Sequence, residues 1–169
     1  MVERRTLWLI RHADASPPQP GQNDFDRPLS PRGEQEVTSI SNQLKHMDLQ
    51  VDWMLVSSAR RTAQTAATIA PVLGLAADAV QLEPDLFHAH ADGLLDAIRS
   101  VPADIERLAV VSHNPGLSEL ATRINQGQAL RLPTLGCCCF ITLEAVVDWS
   151  TLGFGGFQHL RTLHPETSG

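Results

Sequence analysis

Leu7-Trp8-Leu9-Ile10-Arg11-His12-Ala13 decides how the chain is read. Four apolar residues run without a break into an arginine and a histidine. An apolar run with no alternation predicts a strand covered on both faces, as in the middle of a parallel sheet. Open α/β sheets bind their ligands beyond the carboxyl ends of the strands. Arg11 and His12 therefore stand where chemistry is expected.

Working outward, the same theme returns at Arg107-Leu108-Ala109-Val110-Val111-Ser112-His113, a second apolar run that delivers a histidine. Asn114-Pro115-Gly116 follows and opens a helix, with Asn114 as its cap and Leu117, Leu120, Ala121 and Ile124 as its buried face. Residues 51–56 read as a further strand, ending at Ser57-Ser58 and leading into a helix that begins near Arg60-Arg61 and stops at Gly74. After His12 the prolines and glycine of residues 14–21 forbid helix or central strand, so a long loop walls the proposed site. Ser30-Pro31 then starts a helix carrying Val37, Ile40, Leu44 and Met47 on one face. Val80-Gln81-Leu82 reads as a weak strand before Phe87-His88, and Leu94, Leu95, Ile98 and Val101 as a short helix closed by Pro102. Leu135–Leu143 and Phe154–Leu163 read as two final strands joined through Trp149. Strands alternating with helices predict an α/β sandwich with a largely parallel sheet.

The chain has 169 residues, which predicts a single domain over 1–169 with a core of its own. A net charge of −6 argues against non-specific binding to nucleic acid or anionic membrane. No stretch approaches the ~20 apolar residues of a membrane span. The apolar run after Arg4-Arg5 is too short for a signal peptide, and a cytoplasmic location is expected. Cys137-Cys138-Cys139 read as small strand residues in a reducing compartment, with no CxxC metal pattern.

Strand ends in a parallel sheet share one edge, so Arg11, His12, the segment through Arg61, and His113 are expected to converge. Guanidinium forks match phosphate oxygens and keep their charge at any working pH. The helix start after His113 adds backbone donors. An unprotonated imidazole there can attack phosphorus and carry the phosphoryl group until water removes it. Nearby arginines favour the neutral imidazole. The second histidine would serve best as a cation, so the two rings are expected to hold different protonation states.

These pieces resemble the histidine phosphatase superfamily, with its phosphoglycerate-mutase-like fold, and within it the short SixA-type phosphohistidine phosphatases. Leu9-Ile10-Arg11-His12 is similar to the family's Arg-His-Gly motif. Asp24 to Gly33 follows D-x-x-R-P-L-[ST]-x-x-G, Ser57 to Thr65 follows S-x-x-x-R-A-x-Q-T, and Val111 to Pro115 follows G-H-N-P. The resemblance spans nearly the whole chain. It implies a three-layer α/β/α sandwich of about six strands, with one antiparallel edge strand. It implies His12 as phosphorylated nucleophile, Arg11 and Arg61 as phosphate clamp, and His113 as the second, oxyanion-stabilising histidine. Arg61, not Arg60, falls on the family arginine. Asp24 sits at the candidate proton donor and Arg27 at a further basic position. Asn114 and His88 join the expected substrate-binding set. Ala13 and Ser112 stand where the family has glycine, without loss of a reacting group.

Larger members carry a lid between the arginine motif and the second histidine; here ~50 residues intervene, enough for a strand, a helix and a strand. An open site suits a phosphate displayed on another protein. Imidazole, with a pKa near ~6.5, also leaves more easily than a sugar alkoxide. The expected activity is therefore a metal-independent phosphatase needing no cofactor. Its expected partner is a phosphohistidine-bearing protein, such as a histidine-phosphotransfer domain or phosphocarrier, met by a monomeric enzyme. A small-molecule phosphomonoesterase is the nearest alternative. A metal-dependent phosphatase built on His12, Asp14, His88, His90 and His113, or a non-catalytic phosphohistidine-binding module, are rivals from further away. Asp24 reads equally as a solvated loop carboxylate, and Arg27 as a loop anchor.

Overall fold

The structure, a computed structural model, describes residues 3–125 and 136–166. Among the described residues six strands form one sheet: β1 (Arg4–Arg11), β2 (Trp53–Ser57), β3 (Val80–Glu83), β4 (Arg107–Ser112), β5 (Phe140–Val146) and β6 (Gln158–Leu163), in the order β3-β2-β4-β1-β5-β6. The described residues also form four α-helices that cover it: α1 (Pro31–Lys45), α2 (Arg60–Ile69), α3 (Ala91–Arg99) and α4 (Gly116–Ile124).

The apolar run of β1 is explained by cover on both sides. Leu7 and Leu9 pack with Leu94, Ile98, Leu117 and Leu120 of α3 and α4. Trp8 and Ile10 pack with Val37 and Ile40 of α1 and with Ala66 and Ile69 of α2. The alternation within β4 is the same, with Leu108 and Val110 on the first face and Ala109 and Val111 on the second. All four β1 core residues are at most 3% exposed. The expected three-layer sandwich is the observed one.

Strands β1 to β4 are mutually parallel, which brings the ends of β1, β2 and β4 to one edge. The antiparallel strand is β5, which pairs with β1 on one side and β6 on the other. It therefore stands one place in from the edge, where the sequence reading had put it at the edge. The cysteine run is not strand either. Cys138 takes φ 53, and its N–H donates to the His12 carbonyl at 3.1 Å, so the chain turns over the end of β1 before β5 begins at Phe140. Leu135, the expected start of that strand, lies outside the described residues. The last strand begins at Gln158 rather than Phe154, because Gly155, with φ 80, turns the chain first.

Two glycines let helices approach the site. A Cβ on Gly33, in the first turn of α1, would lie 2.0 Å from the Asp14 carbonyl oxygen. One on Gly116, opening α4, would lie 2.2 Å from that of Ala89. Ser30 caps α1 by accepting from Gly33 N–H at 3.0 Å and donates to Asp14 Oδ2 at 2.6 Å, tying the helix start to the loop after His12.

Candidate active site

Arg11 ends β1, and His12 follows it into the turn. The backbone there is held from both sides. Arg11 N–H donates to the Cys139 carbonyl at 3.2 Å, His12 N–H to that of Ser112 at 3.2 Å, and Ala13 N–H to Thr65 Oγ1 at 3.1 Å. His12 is 9% exposed. Its Nδ1 lies 2.7 Å from the Ala13 carbonyl oxygen. A carbonyl only accepts, so Nδ1 carries the hydrogen, and the neutral ring has its lone pair on Nε2. Burial, opposed by the hydrogen bond to Ala13 and aided by Arg61, Arg11 and Arg27, lowers the His12 pKa to about 4.

His113 follows β4 and is 8% exposed, its ring centroid 5.2 Å from that of His12. Nε2 shares a 2.7 Å hydrogen bond with Ser57 Oγ at the end of β2, while buried Nδ1 makes none. Burial first, then the proximity of His12 and Arg61, lowers its pKa to about 3. Burial thus favours the neutral form of both imidazoles, unlike the expected division into one neutral and one cationic ring. The reason is physical: His113 is as buried as His12, and Arg61 acts on both rings. A hydroxyl can donate or accept, so Ser57 accommodates either protonation state.

Arg61, in the first turn of α2, is 7% exposed and donates from Nη1 to the Asp24 carbonyl at 2.7 Å and from Nη2 to Asp24 Oδ2 at 3.1 Å. Arg27 donates from Nη1 to Asp24 Oδ1 at 2.8 Å and from Nε to the Ser16 carbonyl at 2.9 Å. Asp24 therefore bridges two guanidinium groups, and Arg27 and then Arg61 hold its carboxyl below the usual range against a desolvation penalty. In this state it is a carboxylate, not a proton donor. Arg11, His12, Asp24, Arg27, Arg61 and His113 are accordingly gathered at one sheet edge.

The two remaining expected residues behave differently. Asn114 Oδ1 accepts from Ser118 N–H at 3.2 Å and Ser118 Oγ at 2.8 Å, so that oxygen serves α4. His88 is exposed at the rim, its ring 4.0 Å from that of Phe87. Sequence reasoning missed three neighbours: Ser57 on His113, Phe87 edge-on to the His113 ring at 5.6 Å, and Phe25 edge-on to Phe87 at 5.1 Å. Ser57 had a signal, since it opens the S-x-x-x-R stretch at a strand end. The phenylalanines had none beyond adjacency to Asp24 and His88.

Among the described residues no three His, Cys, Asp or Glu side chains cluster as a metal site, and His90 points to Glu119, 3.9 Å away, instead. The same residues include no helix long and apolar enough to cross a membrane. What the arrangement can do is bind a doubly charged oxyanion between guanidinium groups and present a lone-pair nitrogen to it.

Comparison with known proteins gives a concordant picture. The sequence model of the histidine phosphatase superfamily (branch 1) matches residues 7–92. An uncharacterised protein of Mycobacterium tuberculosis is 36% identical over 112 residues, 66% of this chain and 67% of that one. Phosphohistidine phosphatase SixA of Escherichia coli is 26% identical over 140 residues, 82% of this chain and 85% of that one. The solved structure of a proposed SixA phosphohistidine phosphatase from Nakamurella multipartita superposes with a TM-score of 0.80 at 29% identity, covering 98% of both chains.

Proposed function

This chain belongs to the histidine phosphatase superfamily, and from that premise we propose that it hydrolyses protein phosphohistidine through a phosphorylated His12. The observation that carries the reading is the 2.7 Å contact of His12 Nδ1 with the Ala13 carbonyl, which leaves Nε2 as the basic nitrogen beside Arg61 and Arg11. Nε2 attacks phosphorus, and the bond to the leaving group breaks as that group takes the electron pair. Water then attacks phosphorus, the P–Nε2 bond breaks, and inorganic phosphate leaves with the neutral ring restored.

Arg11 and Arg61 hold the equatorial oxygens. A bound dianion reverses the local field, so His113 takes up a proton and donates to the phosphoryl oxygens, while Ser57 accepts from Nε2. The same dianion competes with Asp24 for Arg61 and raises the Asp24 carboxyl toward protonation, which readies it to supply the leaving group's proton. Asn114 acts in this scheme through the start of α4, and His88 from the rim.

Protein phosphohistidine is favoured by the open edge. Between Arg61 and His113 the chain spends its length on the rest of α2, β3, α3 and β4, with short 3-10 turns between them. The partner in this reading is a histidine-phosphotransfer domain or phosphocarrier. The test is release of phosphate from a chemically phosphorylated histidine protein and from a small aryl phosphate, with chelator present. Rapid loss of protein phosphohistidine that His12→Ala abolishes is the expected result. Turnover of the small phosphate alone would leave a phosphomonoesterase, and binding of the phosphoprotein without turnover would leave a recognition module.

A further inference from the structure

The rings of the site form a row that rises from the interior to solvent. His12 and His113 are buried at 5.2 Å from each other. Phe87 meets His113 at 5.6 Å and 76°. Phe25 meets Phe87 at 5.1 Å and 85°, and His88 lies against Phe87 at 4.0 Å. Phe25 and Phe87 are both partly exposed and His88 is exposed. Two of these rings come from unrelated segments: Phe25 from the 3-10 turn Asp24–Asp26, and Phe87 from the end of another, Pro84–Leu86. The Arg61 guanidinium carbon is 5.8 Å from the Phe87 ring centre, so the aromatic wall begins beside the phosphate clamp.

A partly exposed phenylalanine alone is ordinary, but two in contact beside a buried charged site call for a reason. Their position supplies one. A buried nucleophile expels its leaving group in line, toward solvent, and Phe25, Phe87 and His88 are the rings of this row that reach solvent. Flat unsaturated groups meet aromatic rings edge-on or offset, a preference that saturated rings of the same size do not share.

We propose that Phe25 and Phe87, with His88 at the rim, form a leaving-group subsite that selects a planar aromatic ring next to the scissile phosphorus. This deepens the phosphatase reading above and rests on it: an imidazole joined to phosphorus is such a ring. Phe25 sets the specificity because, among the described residues, its ring contact is with Phe87 and not with the histidines. Phe87 serves both the subsite and the seating of His113.

The test separates ring recognition from chemistry by using inert phosphonates. Phenylphosphonate and cyclohexylphosphonate share size and charge but differ in flatness. Calorimetry on the wild type should show phenylphosphonate binding about fivefold tighter, the factor that one aromatic pair contributes. Phe25→Leu should bring that ratio close to one, and Phe25→Trp should restore it. Equal binding of the two ligands by the wild type, a ratio unmoved in Phe25→Leu, or no binding of either phosphonate would overturn the subsite. The parent reading fails separately. If the ratio behaves as expected but no phosphorylated substrate is turned over, the subsite stands and the hydrolase assignment falls. If phosphohistidine is hydrolysed but the ratio is one, the converse holds.

Discussion

Acid should weaken this fold well before its carboxylates protonate, because two imidazoles are held neutral inside it. His12 and His113 have pKa values lowered from 6.5 to about 4 and about 3, chiefly by burial. In the unfolded chain both titrate near the ordinary value. Between the folded and unfolded pKa values the unfolded state therefore binds more protons, and stability falls as pH falls from about 6.5. At about pH 5 each ring is still neutral when folded. It has forfeited about 1.5 pH units at 1.36 kcal/mol each, or about 2 kcal/mol per histidine. The pair thus accounts for about 4 kcal/mol lost between about pH 7.5 and pH 5, a large share of the roughly 5–15 kcal/mol a domain has. Asp24 and Asp52, whose carboxyls are depressed by Arg27 and Arg107 among other causes, lose their contribution only at lower pH, outside this window. Urea denaturation of the wild type, His12→Asn and His113→Asn at both pH values reads the effect as a difference of differences. The lost common background cancels, and each variant should lose about 2 kcal/mol less than the wild type over the interval. Variants that lose as much as the wild type would refute the argument, since the rings would then already be protonated or exposed when folded.

Other consequences concern binding and packing. Arg61→Lys keeps the charge but loses the planar fork, and kcat/KM should fall about 10²-fold, near the upper end for a charge-assisted pair; a change under threefold would remove Arg61 from the clamp. Asp24→Asn removes the anion already paired with Arg61 at 3.1 Å, half exposed, so inorganic phosphate should bind about threefold tighter by calorimetry. The same variant should slow esters of poor leaving groups more than phosphohistidine, and weaker phosphate binding would show that Asp24 does not compete. Gly33→Ala places a Cβ 2.0 Å from the Asp14 carbonyl and should cost about 2 kcal/mol in chemical denaturation, with an unchanged midpoint as the contrary result.

Much of this site could be read from strand ends alone, because parallel strands with apolar runs leave little freedom in where their last residues go. Arg11 ends β1, His12 and His113 directly follow β1 and β4, and Arg61 stands in the helix turn just after β2, and they meet. What depends on contacts between distant segments could not be read. The place of β5 follows from the turn that Cys138 makes against the His12 carbonyl, a contact across the chain that the three cysteines do not announce. The protonation of His113 follows from its burial, which no sequence pattern displays. Phe25 and Phe87 lie 62 positions apart and meet only through the fold, while Asn114, which looked like a ligand, has its side-chain oxygen turned to Ser118. Arg5 is another instance: 3% exposed, it donates to the Ile105 and Ala103 carbonyls at 2.8 Å, where composition would place a surface cation.

The place of β1 in the sheet bears on how the protein comes into being. It comes first of the six strands in chain order, yet its neighbours are β4 and β5, the fourth and fifth. Its register with β5 joins Arg4 to Val146 and Ile10 to Phe140, pairings separated by most of the chain. Such distant pairing is slow to form, and until it forms an apolar strand waits without partners. A ribosome-bound chain that has not yet delivered Phe140–Val146 holds His12 and Arg61 but cannot have closed the turn that clamps the end of β1. Competence should therefore switch on abruptly, only once β5 has been made and has paired with β1.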